Sequence, residues 1–403
     1  MTGNVRRIAA FVLFFISFIS VDVINTVAQG GSPYLVRFPR ADPAVVPILH
    51  SRGVPVNLKL ERWLIVEAGL ADLEPFEGAG IEYEVIDEEA WSEPYYLLTR
   101  PQRRELGPVP DLGHIILKTD EEALIKIADE QALELARPGF RLTRLFQRPL
   151  PLIEGRAEEP SPVRYRPGPD DVIGAIVNQV SQATVGSYVQ RLQDFRTRYF
   201  ATDSINAAAQ WLFDRFREFG YTYVVFDTLV EQPYGVKLWN VIATKPGILY
   251  PDSVIIIGGH YDSIVLDGTD PYLWAPGADD NGSGTVAVLE TARILANIDL
   301  DCTVKFACWT AEEIGLYGSW DYAEKAYNRG ERIGLYLNFD MIGNLDESDP
   351  LRDVDILRNA PSQAYADLMA GMAEQYTTLI PFQYNAHSGS DHFPFMQYGY
   401  NIV

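Results

Sequence analysis

The sequence predicts an α/β protein: a three-layer αβα sandwich on a mixed, mostly parallel sheet, preceded by a small α+β domain. Three observations predict it. From Val172 onward, strand-like runs alternate with amphipathic helical segments of ordinary length. One of those runs, Val254-Ile255-Ile256-Ile257, is apolar and β-branched throughout, as a strand buried on both faces is. Before Leu152 the elements are shorter and follow a β-α-β alternation of their own. A chain of 403 residues, 47% of them hydrophobic, can bury a core of this size. Its net charge of −22 argues against nucleic acid or an anionic membrane surface as a partner.

In chain order, Arg6-Arg7, the apolar run from Ile8 to Val21 and the small-x-small sequence Thr26-Val27-Ala28 read as a signal peptide over residues 1–28. The run is short for a membrane span and no later stretch qualifies as one, so a secreted or periplasmic protein is expected. Residues 32–152 form the α+β domain. Tyr34 to Phe38, Leu60 to Val66, Ile81 to Ile86, His114 to Lys118 and Phe140 to Phe146 read as strands; Pro43 to Leu49 and Glu121 to Ala136 read as helices. The recurrence suggests two-fold internal similarity. His50 and His114 have no ligand-like neighbours, so no chemistry is assigned to this domain; a pro-region that assists folding or an interaction module would fit. Residues 153–171, with Pro160, Pro162, Pro167 and Pro169, read as an exposed linker.

The domain over 172–403 opens with helices expected at Val177 to Phe195 and Ser204 to Phe219. Strands follow at Tyr223 to Leu229, Leu238 to Thr244, Val254 to Ile257, Thr303 to Ala307, Leu335 to Asp340 and Val354 to Leu357. Helices are expected after Gly284, from Gly318 to Asn328 and from Ser362 to Tyr376. The two cysteines, Cys302 and Cys308, bracket one strand of about 20 Å. A bridge tolerates roughly 7 Å between Cα atoms. They are expected as two buried thiols.

Chemistry-bearing residues cluster where these strands end. His260-Tyr261-Asp262 follows Gly258-Gly259, and Gly277-Ala278-Asp279-Asp280-Asn281-Gly282-Ser283-Gly284 precedes a helix. Thr310-Ala311-Glu312-Glu313, Asn338-Phe339-Asp340 and Ser388-Gly389-Ser390-Asp391-His392 complete the set. Any one of them has a bland explanation as a solvated pair or a cap. Together, at one edge of a sheet, such carboxylates would repel one another unless a cation sat among them. Imidazole with several carboxylates suits Zn²⁺, or Mn²⁺ or Co²⁺. The excess of carboxylates over one tetrahedral site points to two metals, with a further glutamate as general base.

These motifs resemble, in order and spacing, the M28 family of zinc metallopeptidases, which includes secreted leucyl-type aminopeptidases. The resemblance covers roughly Asp171 to the C-terminus. It implies the zinc-peptidase type of sandwich, with His260 and Asp340 on one Zn²⁺, Asp280 bridging both ions and Glu313 on the second. It further implies Glu312 as general base and Asp262 as the carboxylate that orients His260, leaving Asp279 as a non-ligand. The implied function is an exported dizinc aminopeptidase that hydrolyses N-terminal residues from peptides. In the family a histidine beyond the strand matching Gly399 to Val403 completes the second metal's ligands, and this chain stops before it. A C-terminally truncated copy is the economical reading; a natural homologue without the second metal is the other. His387 and His392 match no ligand position. A single-zinc glutaminyl-cyclase-like acyl transferase and a non-catalytic binding homologue are the alternative functions.

Overall fold

The computed structural model describes residues 33–99, 106–136, 140–152, 172–230, 233–344 and 352–403. The expected signal peptide and linker lie outside them. The first unit begins with β1 (Tyr34–Pro39), α1 (Val45–Arg52), β2 (Val56–Lys59), β3 (Trp63–Ala68), α2 (Leu70–Gly78) and β4 (Glu84–Asp87). It continues with β5 (Tyr95–Thr99), β6 (His114–Lys118), β7 (Glu122–Lys126), α3 (Asp129–Ala136) and β8 (Arg141–Arg144). These strands make two four-stranded sheets, ordered β2-β3-β1-β4 and β6-β7-β5-β8, antiparallel at every pairing. The period-two rule is visible in β5. Tyr96 and Leu98 pack among Ile125, Leu135, Phe140 and Leu142, whereas Tyr95 and Leu97 face a second, larger core.

One expectation here is corrected. The segment expected as a single helix from Glu121 is strand β7 followed by α3. Ala, Leu and Glu in that segment favour helix, but β7 pairs on both edges, with β5 and β6, and buries Ala123, Leu124 and Ile125. Tertiary pairing outweighs local propensity.

The second unit runs α4 (Val172–Val177), α5 (Gln182–Gln193), α6 (Asp203–Glu218), β9 (Tyr223–Thr228), β10 (Trp239–Lys245), β11 (Tyr250–His260), α7 (Gly282–Leu295) and β12 (Cys302–Trp309). It closes with α8 (Tyr317–Asn328), β13 (Arg332–Asn338), β14 (Asp353–Arg358), α9 (Gln363–Tyr376), β15 (Ile380–Asn385) and α10 (His392–Gln397). The helix expected from Val177 to Phe195 is broken: Ser181 starts α5 by accepting the Thr184 N–H, and its own N–H donates to Glu290 of α7.

The five-stranded sheet has the order β13-β11-β12-β10-β9. β11 is parallel to both β12 and β13, while β10 is antiparallel to β12 and β9. The sheet is therefore mixed, evenly divided between the two pairings rather than mostly parallel, because β9 and β10 enter as an antiparallel pair. β14 and β15 form a separate parallel pair, and the Gly399 to Val403 strand reduces to one bridge, Tyr336 to Ile402. Both cysteines are free, Cys308 fully buried and Cys302 partly.

The parallel trio positions the site. His260 lies beside Trp309 in register, and Gly258 beside Asn338, so three strands deliver their carboxyl ends to one edge. α7 packs on β11 and β12 just behind it.

The two units share a core. Phe146, just after β8, meets Tyr317 edge-on at 5.1 Å and Trp320 at 6.3 Å, with Arg144 and Arg148 over its ring. The backbone N–H of Lys59 donates to the Gln397 side chain, whose amide donates back to the Lys59 carbonyl, both at 2.9 Å. Thr143 Oγ1 donates to the Ser388 carbonyl, and Arg148 pairs with Glu324.

Candidate metal centre

His260 ends β11 with no exposed surface. Its Nε2 faces Asp280 Oδ1 at 3.4 Å, Asp340 Oδ1 at 3.5 Å and Glu312 Oε2 at 3.7 Å. Its Nδ1 faces Asp262 Oδ1 at 3.4 Å. The structure thus brings together every residue assigned to the site, from three strand ends and the loop before α7. His260, Glu312 and Asp340 form one trio whose donor atoms all lie within 4.8 Å of one another; His260, Asp280 and Glu313 form another.

Local backbone explains how each arrives. The chain after β12 turns sharply, with Ala311 in the left-handed region at φ 56°, a conformation that costs a β-carbon residue on the order of 1–2 kcal/mol. Asp262 holds that turn: its two carboxylate oxygens accept the backbone N–H groups of Glu312 and Glu313, each at 3.1 Å. One carboxylate therefore fixes both the imidazole and the glutamate pair. Asp340 follows β13, and its Oδ2 accepts from Ser390 Oγ at 2.7 Å, which in turn accepts from Asn338 at 2.8 Å. Met341 next to it also takes a positive φ, 53°.

Asp280 is carried by the loop before α7. Asn281 caps that helix by accepting from Gly284 N–H at 2.9 Å and donates to the Phe339 carbonyl at 2.9 Å, tying the helix start to the end of β13. The approach is so close that a β-carbon on Gly259 would stand 2.7 Å from that carbonyl, and one on Gly284 would collide with it. Asp279 turns away from the centre: its Oδ1 accepts from Ser283 Oγ and from the Gly343 N–H at 2.7 Å.

The electrostatics are those of a crowded anionic cage. Burial opposes charge on His260, but Glu312, Asp262, Asp280 and Asp340 outweigh it and raise the imidazole well above its ordinary value. Burial raises both Glu312 and Glu313, offset by His260 and Arg141 and reinforced by neighbouring carboxylates. Asp340 is driven far below the usual carboxylate range: burial works against this, and His260, Arg141 and the Ser390 hydrogen bond prevail. Both nitrogens of His260, Asp280 Oδ1 and Asp340 Oδ1 are buried without a hydrogen bond of proper geometry. Buried polar atoms are seldom left so. Imidazole and carboxylate donors converging without protein partners are a ligand set that fits a divalent cation of the zinc type.

Three further residues contribute; Arg198 and Arg141 carry no local signal in the sequence, and Asp391 stood there only within the Ser388-Gly389-Ser390-Asp391-His392 cluster. Arg198 is wholly buried and donates to the carbonyls of Tyr261, Leu192, Pro276 and Gly277, stitching β11, α5 and the loop before Asp280. Burial brings its guanidinium down to about 10 despite nearby carboxylates. Asp391, fully buried, is pushed up to about 7 by burial, against the pull of His260 and of the Ser319 hydroxyl. The third corrects an expectation, since the first unit does reach the chemistry. Arg141, opening β8, places Nη2 2.8 Å from Asp280 Oδ2 and Nη1 at 3.5 and 3.6 Å from Glu312 and Glu313. No local pattern in Arg-Leu-Thr-Arg signals that contact. His387 and His392 stay outside both trios; His392 Nε2 bonds the His387 carbonyl at 2.6 Å.

Residues 240–403 match the family model of Peptidase family M28. The chain is similar to a probable zinc metalloprotease of Leptosphaeria maculans, 33% identical over 209 residues that make 48% of this chain and 48% of the relative. It thus spans about half the length of such fungal relatives, which share 40–48% of their length with it in the matches to Leptosphaeria and Pyrenophora. A probable aminopeptidase of Saccharomyces cerevisiae is 28% identical over 310 residues, 73% of this chain and 77% of its own. Among solved structures, the LapA aminopeptidase of Legionella pneumophila superposes with a TM-score of 0.58 at 18% identity, over 77% of this chain and 87% of that one. At that identity the likeness is one of fold.

Proposed function

We propose that this protein, whose residues 240–403 match the model of peptidase family M28, is a zinc-dependent aminopeptidase, exported by the leader over residues 1–28. The three-layer sandwich, two Zn²⁺ ions and Glu312 as general base belong to the same reading. The observation that carries it is the pair of trios sharing His260, on which the unpaired His260 Nε2, Asp280 Oδ1 and Asp340 Oδ1 converge. His260 and Asp340 would hold one ion, Glu313 the other, and Asp280 would lie between them. Bound zinc would supply Lewis acidity and make water acidic enough to attack near neutral pH.

The protein's own groups do the rest. Glu312 accepts the proton of the attacking water and returns it to the leaving amine; its burial, which raises its proton affinity, suits a group that must hold that proton between the two steps. Asp262 keeps Glu312 and Glu313 aimed through their backbone N–H groups and keeps the His260 ring oriented.

Zinc content by elemental analysis, alongside hydrolysis of an aminoacyl p-nitroanilide, tests the reading. Glu312→Gln should retain zinc while kcat falls by at least about a hundredfold, the usual weight of a general base. Full activity in that variant would remove Glu312 from its role, and no zinc bound even with a large excess of added metal would remove the metal centre.

A further inference from the structure

The guanidinium of Arg141 stands among the very oxygens that a metal ion would use. Asp280 and Glu313 supply two of the three donors of one trio, and Glu312 belongs to the other. A zinc–carboxylate bond is about 2.0–2.2 Å long, so an ion at either trio would lie only a few ångströms from a guanidinium bonded to Asp280 at 2.8 Å. Two cations at that separation in a buried cage repel strongly. Asp280 Oδ2, which accepts from the guanidinium, has less electron density to give an ion.

Arg141 is also not free to drift away. It opens β8, a strand paired with β5 across Thr99 to Tyr96. Two residues on, Thr143 donates to the Ser388 carbonyl in the loop beside Asp340. Phe146 is wedged against Tyr317 and Trp320, Arg148 pairs with Glu324, and Lys59 and Gln397 exchange hydrogen bonds. The guanidinium is thus delivered by a docked domain with its own core. Moving it out of the cage requires that domain to lift or β8 to shift.

We propose that the N-terminal unit is an intramolecular inhibitor of the metal centre, with Arg141 as a protein-borne cation that competes with zinc for Asp280 and Glu313 and lies against the base Glu312. This rests on the reading of the cage as a zinc site. The competition is one of charge and of hydrogen-bond geometry: the forked guanidinium addresses several carboxylates at once, which a lysine ammonium of similar length does less well. Metal loading is thereby coupled to undocking of the unit.

The test compares full-length wild type with Arg141→Ala, Arg141→Lys and a control, Arg37→Ala, which removes a surface pair with Glu84 in the same unit. Zinc affinity is read by competition with a chromophoric chelator at fixed pH and ionic strength, and aminoacyl p-nitroanilide hydrolysis is read in parallel. Arg141→Ala should bind zinc at least tenfold more tightly, about 1.4 kcal/mol; Arg141→Lys should gain by a smaller factor, and Arg37→Ala should match wild type. Affinity unchanged or weakened in the Arg141 variants overturns the proposal, because a residue that supports the loaded site would behave that way. Should the alanine variant fail to fold, the lysine variant carries the same comparison, and equality with wild type overturns it. Tighter zinc without hydrolysis in any variant would support the inhibitor and remove the peptidase reading, so the two are separable.

Discussion

At the scale of single residues, the site is a problem of unpaired groups. Asp262 shows how one side chain solves two geometric tasks, aiming a ring and holding a strained turn, with four atoms. His392 shows the opposite case, a titratable group kept neutral. Burial, and then the neighbouring His387, press its imidazole down to about 4, and its bond to the His387 carbonyl only partly resists. An unfolded histidine titrates near 6.5. Between those values the unfolded chain takes up a proton that the folded one refuses, so this contribution is intact above about pH 6.5 and lost progressively as pH falls toward 4. By pH 5 the loss is about 2 kcal/mol. Unfolding free energies from urea titrations at pH 7 and pH 5 should therefore separate less in His392→Gln than in wild type, by about that amount. Equal separations would show that the ring is not held neutral.

At the scale of elements, the parallel trio β11, β12 and β13 decides where the chemistry sits, and the loop before α7 decides whether Asp280 reaches it. That loop carries no extensive backbone ladder of its own; Arg198 substitutes for one by donating to four carbonyls from two segments and the helix before them. Arg198→Met should cost at least about 3 kcal/mol, because several buried carbonyls would lose their donor at once. The Asp280 loop should loosen with it. Thermal melts of the zinc-free protein measure the first effect, and zinc affinity measures the second. A variant as stable as wild type would mean that water replaces the guanidinium without loss. The same scale explains two misreadings. Continuous helical patterns hid strand β7 and the Ser181 start of α5 within the helix expected from Val177, because propensity cannot register a partner that arrives from elsewhere in the chain.

For the whole molecule, the question is how the two units are coupled. Their shared core includes Leu35, Tyr95, Leu97 and Phe146 on one side and Tyr317, Trp320 and Phe393 on the other. Phe146 is 6% exposed and packs at the centre of that seam. Phe146→Ala should cost about 3–5 kcal/mol, and it should do so at the interface rather than within either unit. Scanning calorimetry should then resolve a transition for undocking or for the first unit below the main one. A single unshifted transition would show that the seam contributes little. Such a variant would also weaken the hold of Arg141 on the cage without touching any carboxylate.

Much of the site was legible in the linear chain because its parts are short and local. Four β-branched residues followed by Gly258-Gly259 announce a central strand that must be crowded at its end, and His260 and Asp262 come with it. The Asp279-Asp280-Asn281-Gly282 run announces a helix start, and the Glu312-Glu313 pair and Asp340 close strands in the same manner. Which edge these strands share, and that all of them meet, followed from the parallel register. What the linear chain could not determine was the role of Arg141, of Arg198 and of Phe146. Each acts on a target tens to nearly two hundred residues away, through a guanidinium or a ring that any surface strand or helix could carry. Local patterns encode backbone geometry because period and turn chemistry are short-ranged. Charge compensation inside a buried cage is long-ranged in sequence and short-ranged in space, so only the folded chain decides which cation supplies it.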